Sequence, residues 1–178
     1  MKADPNADLL PGEWAVLGVI AGEPAHGFAV ARELAPGGSL GQVWTMSRPR
    51  VYRALADLAA SGLIAPTGPA ISERGPSRVV YAVTDGGRRR LDRWLETPVD
   101  HVRDVRSDLL LKLALYDRAG RSPRGLLEAQ RTRLEALPDS LEAAGADAAG
   151  FDAVVLRYRM SAACAALAFV DDLLAISR

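Results

Sequence analysis

The sequence predicts a mainly α-helical chain with one small β-hairpin, in two parts, residues 8–97 and 98–178. Three observations carry this reading. Residues 9–63 fall into three short stretches of helical periodicity, separated by proline and glycine. Residues 63–84 contain an alternating apolar run and two Gly-Pro turns, the mark of a hairpin. After Thr97-Pro98 the pattern returns to helical spacing.

The first helix is expected from Leu9 to Ala21. Pro11 sits in its first turn, where an N–H has no helical partner to lose. Trp14, Leu17 and Ala21 share a face, and Gly22-Glu23-Pro24 stops the helix. A second short helix is expected from Gly27 to Ala35, with Phe28, Ala31 and Leu34 inward. Pro36-Gly37-Gly38 breaks it, and Leu40 to Met46 is a connection carrying Trp44.

The third helix, from Ser47 to its stop at Gly62-Leu63, organises the rest. Ser47 is placed to cap it with its hydroxyl, and Pro49 is tolerated in the first turn. Val51, Leu55 and Leu58 fall at i, i+4 and i+7, with Ala54 beside them. Arg53, Ala56 and Ala60 point the other way, with Arg50 and Tyr52 on the flanks. The outward face is thus cationic at its start and small further along. A helix lying in a DNA major groove needs that arrangement, because arginines reach bases and phosphates while alanines let the backbones approach.

A hairpin follows. Leu63-Ile64-Ala65 is a strand stub limited by Pro66, and Val79 to Thr84 alternates, with Val79, Tyr81 and Val83 on one face. Gly68-Pro69 and Gly75-Pro76 mark turns between them, and Arg74 and Arg78 flank the second. Thr84 caps a fourth helix over 85–95 that carries Leu91, Trp94 and Leu95. Three helices, the third cationic outward, and then a basic-tipped hairpin form a winged helix-turn-helix.

These residues resemble the PadR family of transcriptional regulators. Ala25-His26-Gly27-Phe28 is similar to that family's AHGY-type turn. Arg50-Val51-Tyr52-Arg53-Ala54-Leu55, with Leu58 and Gly62-Leu63-Ile64 after it, resembles its recognition helix. Gly75-Pro76-Ser77-Arg78-Val79-Val80-Tyr81, then Thr84, Gly87 and 91–95, resembles its wing and next helix, and Ser107 to Leu115 a further landmark. The resemblance covers roughly residues 10 to 118. Arg50 stands where the family commonly has Gln, so base preference does not carry over.

The C-terminal part reads as helical throughout. Val102, Val105, Leu109, Leu113 and Tyr116 keep helical spacing between Asp100 and Asp117. Ser122 and Pro123 suit a cap and first-turn pair. The helix after them carries Leu127, Leu134 and Leu141, with Leu126, Gln130 and Leu137 alongside, and Pro138 is expected to kink or split it. Gly145 to Gly150 is a small-residue linker before a long helix from Phe151 to Ser177. Its apolar positions, Val154, Tyr158, Ala165, Phe169 and Leu173, occupy more than one stripe and call for partners on several sides. A second copy supplies them; a self-contained bundle is the alternative. The resemblance also implies pairing through these helices.

Composition narrows the function classes. The chain has 178 residues, 49% of them hydrophobic, enough for a sizeable core. Its one cysteine, Cys164, excludes an intramolecular disulfide framework and is expected to be a buried, inert thiol in an alanine run. The N-terminus lacks the apolar core of a signal peptide, and Met160 to Val170 is short for a membrane span, so a soluble cytoplasmic protein is expected. The formal net charge is zero, yet Trp44 to Arg93 holds nine arginines against four acids, +5 in that segment and −5 in the rest. Such a localised basic segment is an anion-binding footprint. No catalytic constellation stands out. His26 and His101 lie in different segments without metal-ligand spacing, and His26 fits a helix-start turn. Asp171-Asp172 reads as solvated surface, and no phosphate-binding glycine loop, cofactor or metal site is found.

The sequence therefore points to a transcriptional regulator, most simply a repressor, that binds a pseudo-palindromic double-stranded DNA operator as a homodimer. Ser47, Arg48, Arg50, Tyr52 and Arg53 are assigned to the major groove and its phosphates, and Arg74, Ser77 and Arg78 to the wing. A small aromatic or hydrophobic effector is implied by the resemblance. Trp94 and Tyr158 are its candidate contacts, with core packing the competing role for both. A winged-helix protein-interaction module without sequence-specific DNA binding is the alternative function.

Overall fold

The computed structural model describes residues 9–70, 78–137 and 148–176. They fold into two compact units. The first comprises residues up to Leu95 together with Leu110–Arg121; the second comprises Glu96–Leu109 and the chain from Ser122 onward. Leu110–Arg121, which the sequence reading assigns to the second domain, thus packs with the first.

The first unit is built around α1 (Pro11–Gly22). Eight of its twelve residues are buried, from Gly12 to Ile20 with only Glu13 excepted. The expected single face at Trp14, Leu17 and Ala21 is therefore too narrow. This helix is the core of its unit, with neighbours on several sides, and a helix so covered needs no polar face. Glu13 accepts the Leu10 N–H at 2.6 Å and so ties the first turn.

The next elements are β1 (Ala25–His26), α2 (Gly27–Glu33) and α3 (Arg48–Ala60). His26 caps α2, its Nδ1 accepting the Ala29 N–H at 3.0 Å. Val30, Ala31 and Leu34 turn inward, whereas Phe28, expected in the core, is 37% exposed. On α3 the expected stripe holds, with Val51, Ala54, Leu55 and Leu58 buried. Ser47 is the N-cap residue, but its side chain caps nothing; its backbone carbonyl accepts the Val51 N–H at 3.1 Å. Gly62, at φ +68°, turns the chain out of the helix in a conformation that side chains other than glycine's rarely adopt.

The wing strands are β2 (Ile64–Ala70) and β3 (Arg78–Val83). Pro66 does not stop β2 as expected. β2 is an edge strand of the antiparallel sheet β1-β3-β2, and its register shifts between Pro66 and Gly68, so a residue without an N–H is accommodated. The third strand, β1, is a two-residue pairing of Ala25 with Tyr81 and His26 with Val80. Thr84 caps α4 (Asp85–Glu96) by accepting the Gly87 N–H at 3.0 Å, while its hydroxyl lies 2.8 Å from the Gly62 carbonyl it donates to. The fourth helix is thereby fastened to the end of the third.

The helix expected over 100–117 is interrupted. It comprises α5 (Val102–Asp104), a π turn (Val105–Leu109) and α6 (Leu110–Arg118). A π turn inserts one extra residue and rotates everything after it. Leu109 at its end is buried, and the buried set beyond it is Leu111, Lys112, Leu115 and Tyr116, with Leu113 only half-buried. The unit boundary falls at the end of this turn.

In the second unit, α7 (Arg124–Glu135) buries Leu126, Leu127, Gln130 and Leu134. Pro123 is its N-cap rather than its first residue, and Ser122 Oγ accepts the Arg124 N–H at 3.3 Å. Gln130 donates to the Val99 carbonyl at 3.1 Å and accepts the Val99 N–H at 2.7 Å. Pro138, Leu141 and the start of the Gly145–Gly150 linker lie outside the described residues. The last helix, α8 (Gly150–Ile176), packs on α7 and buries Ala163, Ala166 and Val170. Arg131 bridges the pair by donating to Asp171 at 2.7 Å. Cys164 is exposed, not buried as expected, because only the Ala163–Ala166–Val170 side of the alanine run meets α7. At 27 residues α8 is also longer than the expected apolar stretch, and by length and composition it could cross a membrane. Arg157, Arg159, Asp171 and Asp172 lie exposed along it.

Candidate nucleic-acid interface

The outward face of α3 carries the candidate contacts. Ser47, Arg48, Arg50, Tyr52 and Arg53 are all exposed, as are Ala56 and Ala60 further along. The buried stripe fixes this presentation, because Val51, Leu55 and Leu58 can face the core only if Arg50 and Arg53 face away from it. Asp57 is also exposed and follows Arg53 by one turn, so the cationic character is confined to the start of the helix.

Two aromatic residues flank this cationic end. The Arg48 guanidinium lies over the Phe28 ring, 4.9 Å from its centroid, a cation–π contact that pre-orients the arginine. Tyr52 is 52% exposed and lies against the start of α2. Gly27 makes that approach possible, since a Cβ there would fall 2.7 Å from Tyr52 Cε1. His26, Phe28, Tyr52, Leu55, Val79 and Tyr81 line a cleft of about 320 Å³ between α3, the start of α2 and the wing strand. The sequence reading assigned Tyr52 to the site but not Phe28, Val79 or Tyr81. Val30, Ala31 and Leu34 form an i, i+1, i+4 set, a signal that Phe28 belongs to the other face.

The other assigned residues are distributed as follows. Arg78 opens β3, opposite Ala70. Arg74 and Ser77 lie outside the described residues. Four arginines of the basic segment belong to α4, where Arg88 donates to the Ala21 carbonyl at 2.9 Å and Arg90 is half-buried. Trp94 is 6% exposed, with its ring stacked on Trp14 and Lys112 Nζ 4.7 Å from its centroid. Tyr158 belongs to the other unit and is 73% exposed on α8. Among the described residues no group of three or more His, Cys, Asp or Glu side chains could hold a metal ion.

Residues 16–93, from the middle of α1 to most of α4, match the model of the "Transcriptional regulator PadR-like family". The matched residues are fewer than half of the chain and lie in its winged helix-turn-helix part. It is 28% identical over 103 residues, 58% of its own length, to the "Probable transcriptional regulator Rv1176c" of Mycobacterium tuberculosis. The match spans about half of that relative, 53% of its length. Among solved structures the chain is similar to Bacillus subtilis PadR in complex with operator DNA, at 19% identity and a TM-score of 0.47, covering 93% of this chain and 98% of that one. It is also similar to Bacillus subtilis PadR in complex with p-coumaric acid, at 18% identity and a TM-score of 0.43, covering 94% and 99%.

Proposed function

We propose that this PadR-like chain is a cytoplasmic transcriptional regulator, most simply a repressor, that binds a pseudo-palindromic DNA operator as a homodimer. The observation that carries the reading is the exposure of Arg48, Arg50 and Arg53 at the start of α3, backed by a buried stripe that holds them outward. In a helix-turn-helix that end of the helix faces the base edges. The wing residues Arg74, Ser77 and Arg78 contact phosphate or the neighbouring groove in this reading.

Dimerisation is supported by α8. Phe151, Val154, Tyr158, Ser161, Ala165 and Ala168 recur at alternating spacings of three and four residues, and all are exposed. That spacing is the seam of a helix pair, apolar or small at nearly every position. A two-fold dimer places two recognition helices on successive half-sites, so the operator carries matching symmetry. A small aromatic or hydrophobic effector releases the DNA by favouring the unbound conformation. Trp94 is enclosed in packing, so its part in the response is indirect, whereas Tyr158 is exposed in the single chain and covered by the second copy in the proposed dimer.

The test is a mobility-shift titration of the full-length protein against its own upstream DNA, with unrelated duplex as competitor. Retention of the operator complex under a large excess of competitor is expected. Equal displacement by both duplexes favours a protein-interaction module instead.

A further inference from the structure

The cleft between α3 and β3 has a chemistry unlike its surroundings. Its walls include Phe28, Tyr52, Val79 and Tyr81, with His26 the one ionisable nitrogen base among them. Phe28, Tyr52 and Val79 are 37%, 52% and 50% exposed, an unusual concentration of accessible apolar surface. Arginines border it. Arg48 sits over Phe28, and Arg50 and Arg53 lie either side of Tyr52 in the helix.

The position of this cleft on a duplex follows from the docking geometry. With α3 in the major groove and the wing at the neighbouring groove, the strand that separates the two grooves must run between them. The first helix of a helix-turn-helix also crosses the backbone. Here that helix is α2, which begins at the cleft. Backbone crossing at this point presents alternately a phosphate, which suits an arginine, and a deoxyribose, whose exposed edge is C–H. A guanidinium gains nothing from C–H groups, but aromatic faces and a valine do.

We infer that this cleft seats one deoxyribose of each operator half-site, held by apolar contact with Tyr52, Phe28 and Val79, while the flanking phosphates lie on the arginine rim. This rests on the DNA-binding reading and adds to it a contact that is independent of both base sequence and salt. Gly27 is the positioning residue. Any side chain there displaces the Tyr52 ring, which a Cβ would approach to 2.7 Å at Cε1 and 3.1 Å at Cζ.

Phosphate contacts release counterions and make affinity fall with salt, whereas sugar contacts do not. The experiment measures the affinity of full-length Tyr52→Ala and Val79→Ser for operator and for random duplex over a range of salt. Both side chains are half-exposed, so the variants keep the fold, which a melting curve checks. Each is expected to weaken both duplexes by about tenfold, with the slope of log affinity against log salt unchanged. Arg48→Ala, at the rim over Phe28, serves as the contrast, flattening that slope. A 2′-O-methyl scan of the operator is expected to find one position per half-site that weakens wild-type binding but not Tyr52→Ala binding. Wild-type affinity in both cleft variants, with a loss in Arg48→Ala, overturns the sugar seat and leaves the DNA-binding reading intact. A flattened slope in Tyr52→Ala overturns it too, since that marks a phosphate contact. Absence of any duplex binding by the wild type defeats the DNA-binding reading itself.

Discussion

The indole rings of Trp14 and Trp94 stack with centroids 4.7 Å apart and planes 8° from parallel. This pair joins the central helix of the first unit to the helix that follows the wing. Lys112, 2% exposed on α6, brings its ammonium to 4.7 Å from the Trp94 centroid, so the chain returning from the second unit closes on the same ring. Trp94→Ala is expected to cost about 3–5 kcal/mol, the range for removing a buried aromatic side chain. Denaturant titration measures it. Operator affinity of the fraction still folded is expected to stay at the wild-type level, because Trp94 is not on the exposed face of α3.

A second tie binds α6 into the same unit. Arg118 donates two hydrogen bonds to the Glu33 carboxylate at the end of α2, one of them at 3.1 Å to Oε1. Both side chains are only partly exposed, so water screens the pair less than a surface ion pair. Glu33→Gln keeps the shape and removes the charge. A loss of about 1 kcal/mol is expected, with added salt narrowing the gap to wild type. A gap that is unaffected by salt would assign the loss to packing.

Gln130 does for the second unit what a neighbouring strand does in a sheet. Its side-chain amide satisfies both the N–H and the carbonyl of Val99, in a fully buried position. Gln130→Leu preserves the volume and leaves two buried backbone groups without their partner. Each such group costs about 1–3 kcal/mol, so this variant is expected to be less stable than Gln130→Glu measured at acid pH, where the neutral carboxyl can still donate and accept. Thermal melts of the two variants decide the order.

The α8 seam sets the assembly prediction. Val154→Asp with Tyr158→Asp puts charge on two exposed positions one helical turn apart in the second unit. Sedimentation is expected to show a dimer for the wild type and a monomer for the double variant at the same concentration. The monomer loses most operator affinity while keeping its fold, because two linked half-sites bind far more tightly than one. A stable wild-type monomer would remove the seam's function.

The third helix, α3, was legible because its signals are local. The Val51–Leu55–Leu58 stripe and the glycine at position 62 each depend on residues within two turns, and both appear where the spacing puts them, although the Ser47 side chain makes no cap. The features that escaped depend on partners distant in the chain. β1 is two residues long and exists only because β3, more than fifty positions later, offers an unpaired edge. Phe28 lies outside because Val30 competes for the same interior. The π turn at Val105–Leu109 leaves no mark on a helical periodicity count, yet it decides which leucines of α6 are buried. Cys164 is exposed because α7 covers one side of α8 only, and an alanine-rich helix does not declare which side that is.

The division of labour between helix and wing gives the last prediction. Arg50 and Arg53 begin the outward face of α3, held there by Val51 and Leu55 beneath. In the proposed docking, a guanidinium so placed meets O6 and N7 of guanine in a bidentate pair. Arg50→Ala or Arg53→Ala at such a contact costs about 1–3 kcal/mol on the operator and relaxes preference at one base pair. Arg74 and Arg78 are the proposed wing contacts, with phosphate as their proposed target. Their replacement by alanine weakens operator and random duplex alike, and flattens the salt dependence by about one unit for each lost contact. The deciding quantity is the ratio of operator to random-duplex affinity at two salt concentrations. A ratio that falls in the α3 variants and holds in the wing variants confirms the assignment. The reverse pattern exchanges the roles of the two elements. Unchanged binding in all four variants removes α3 from the interface and returns the winged helix to protein recognition.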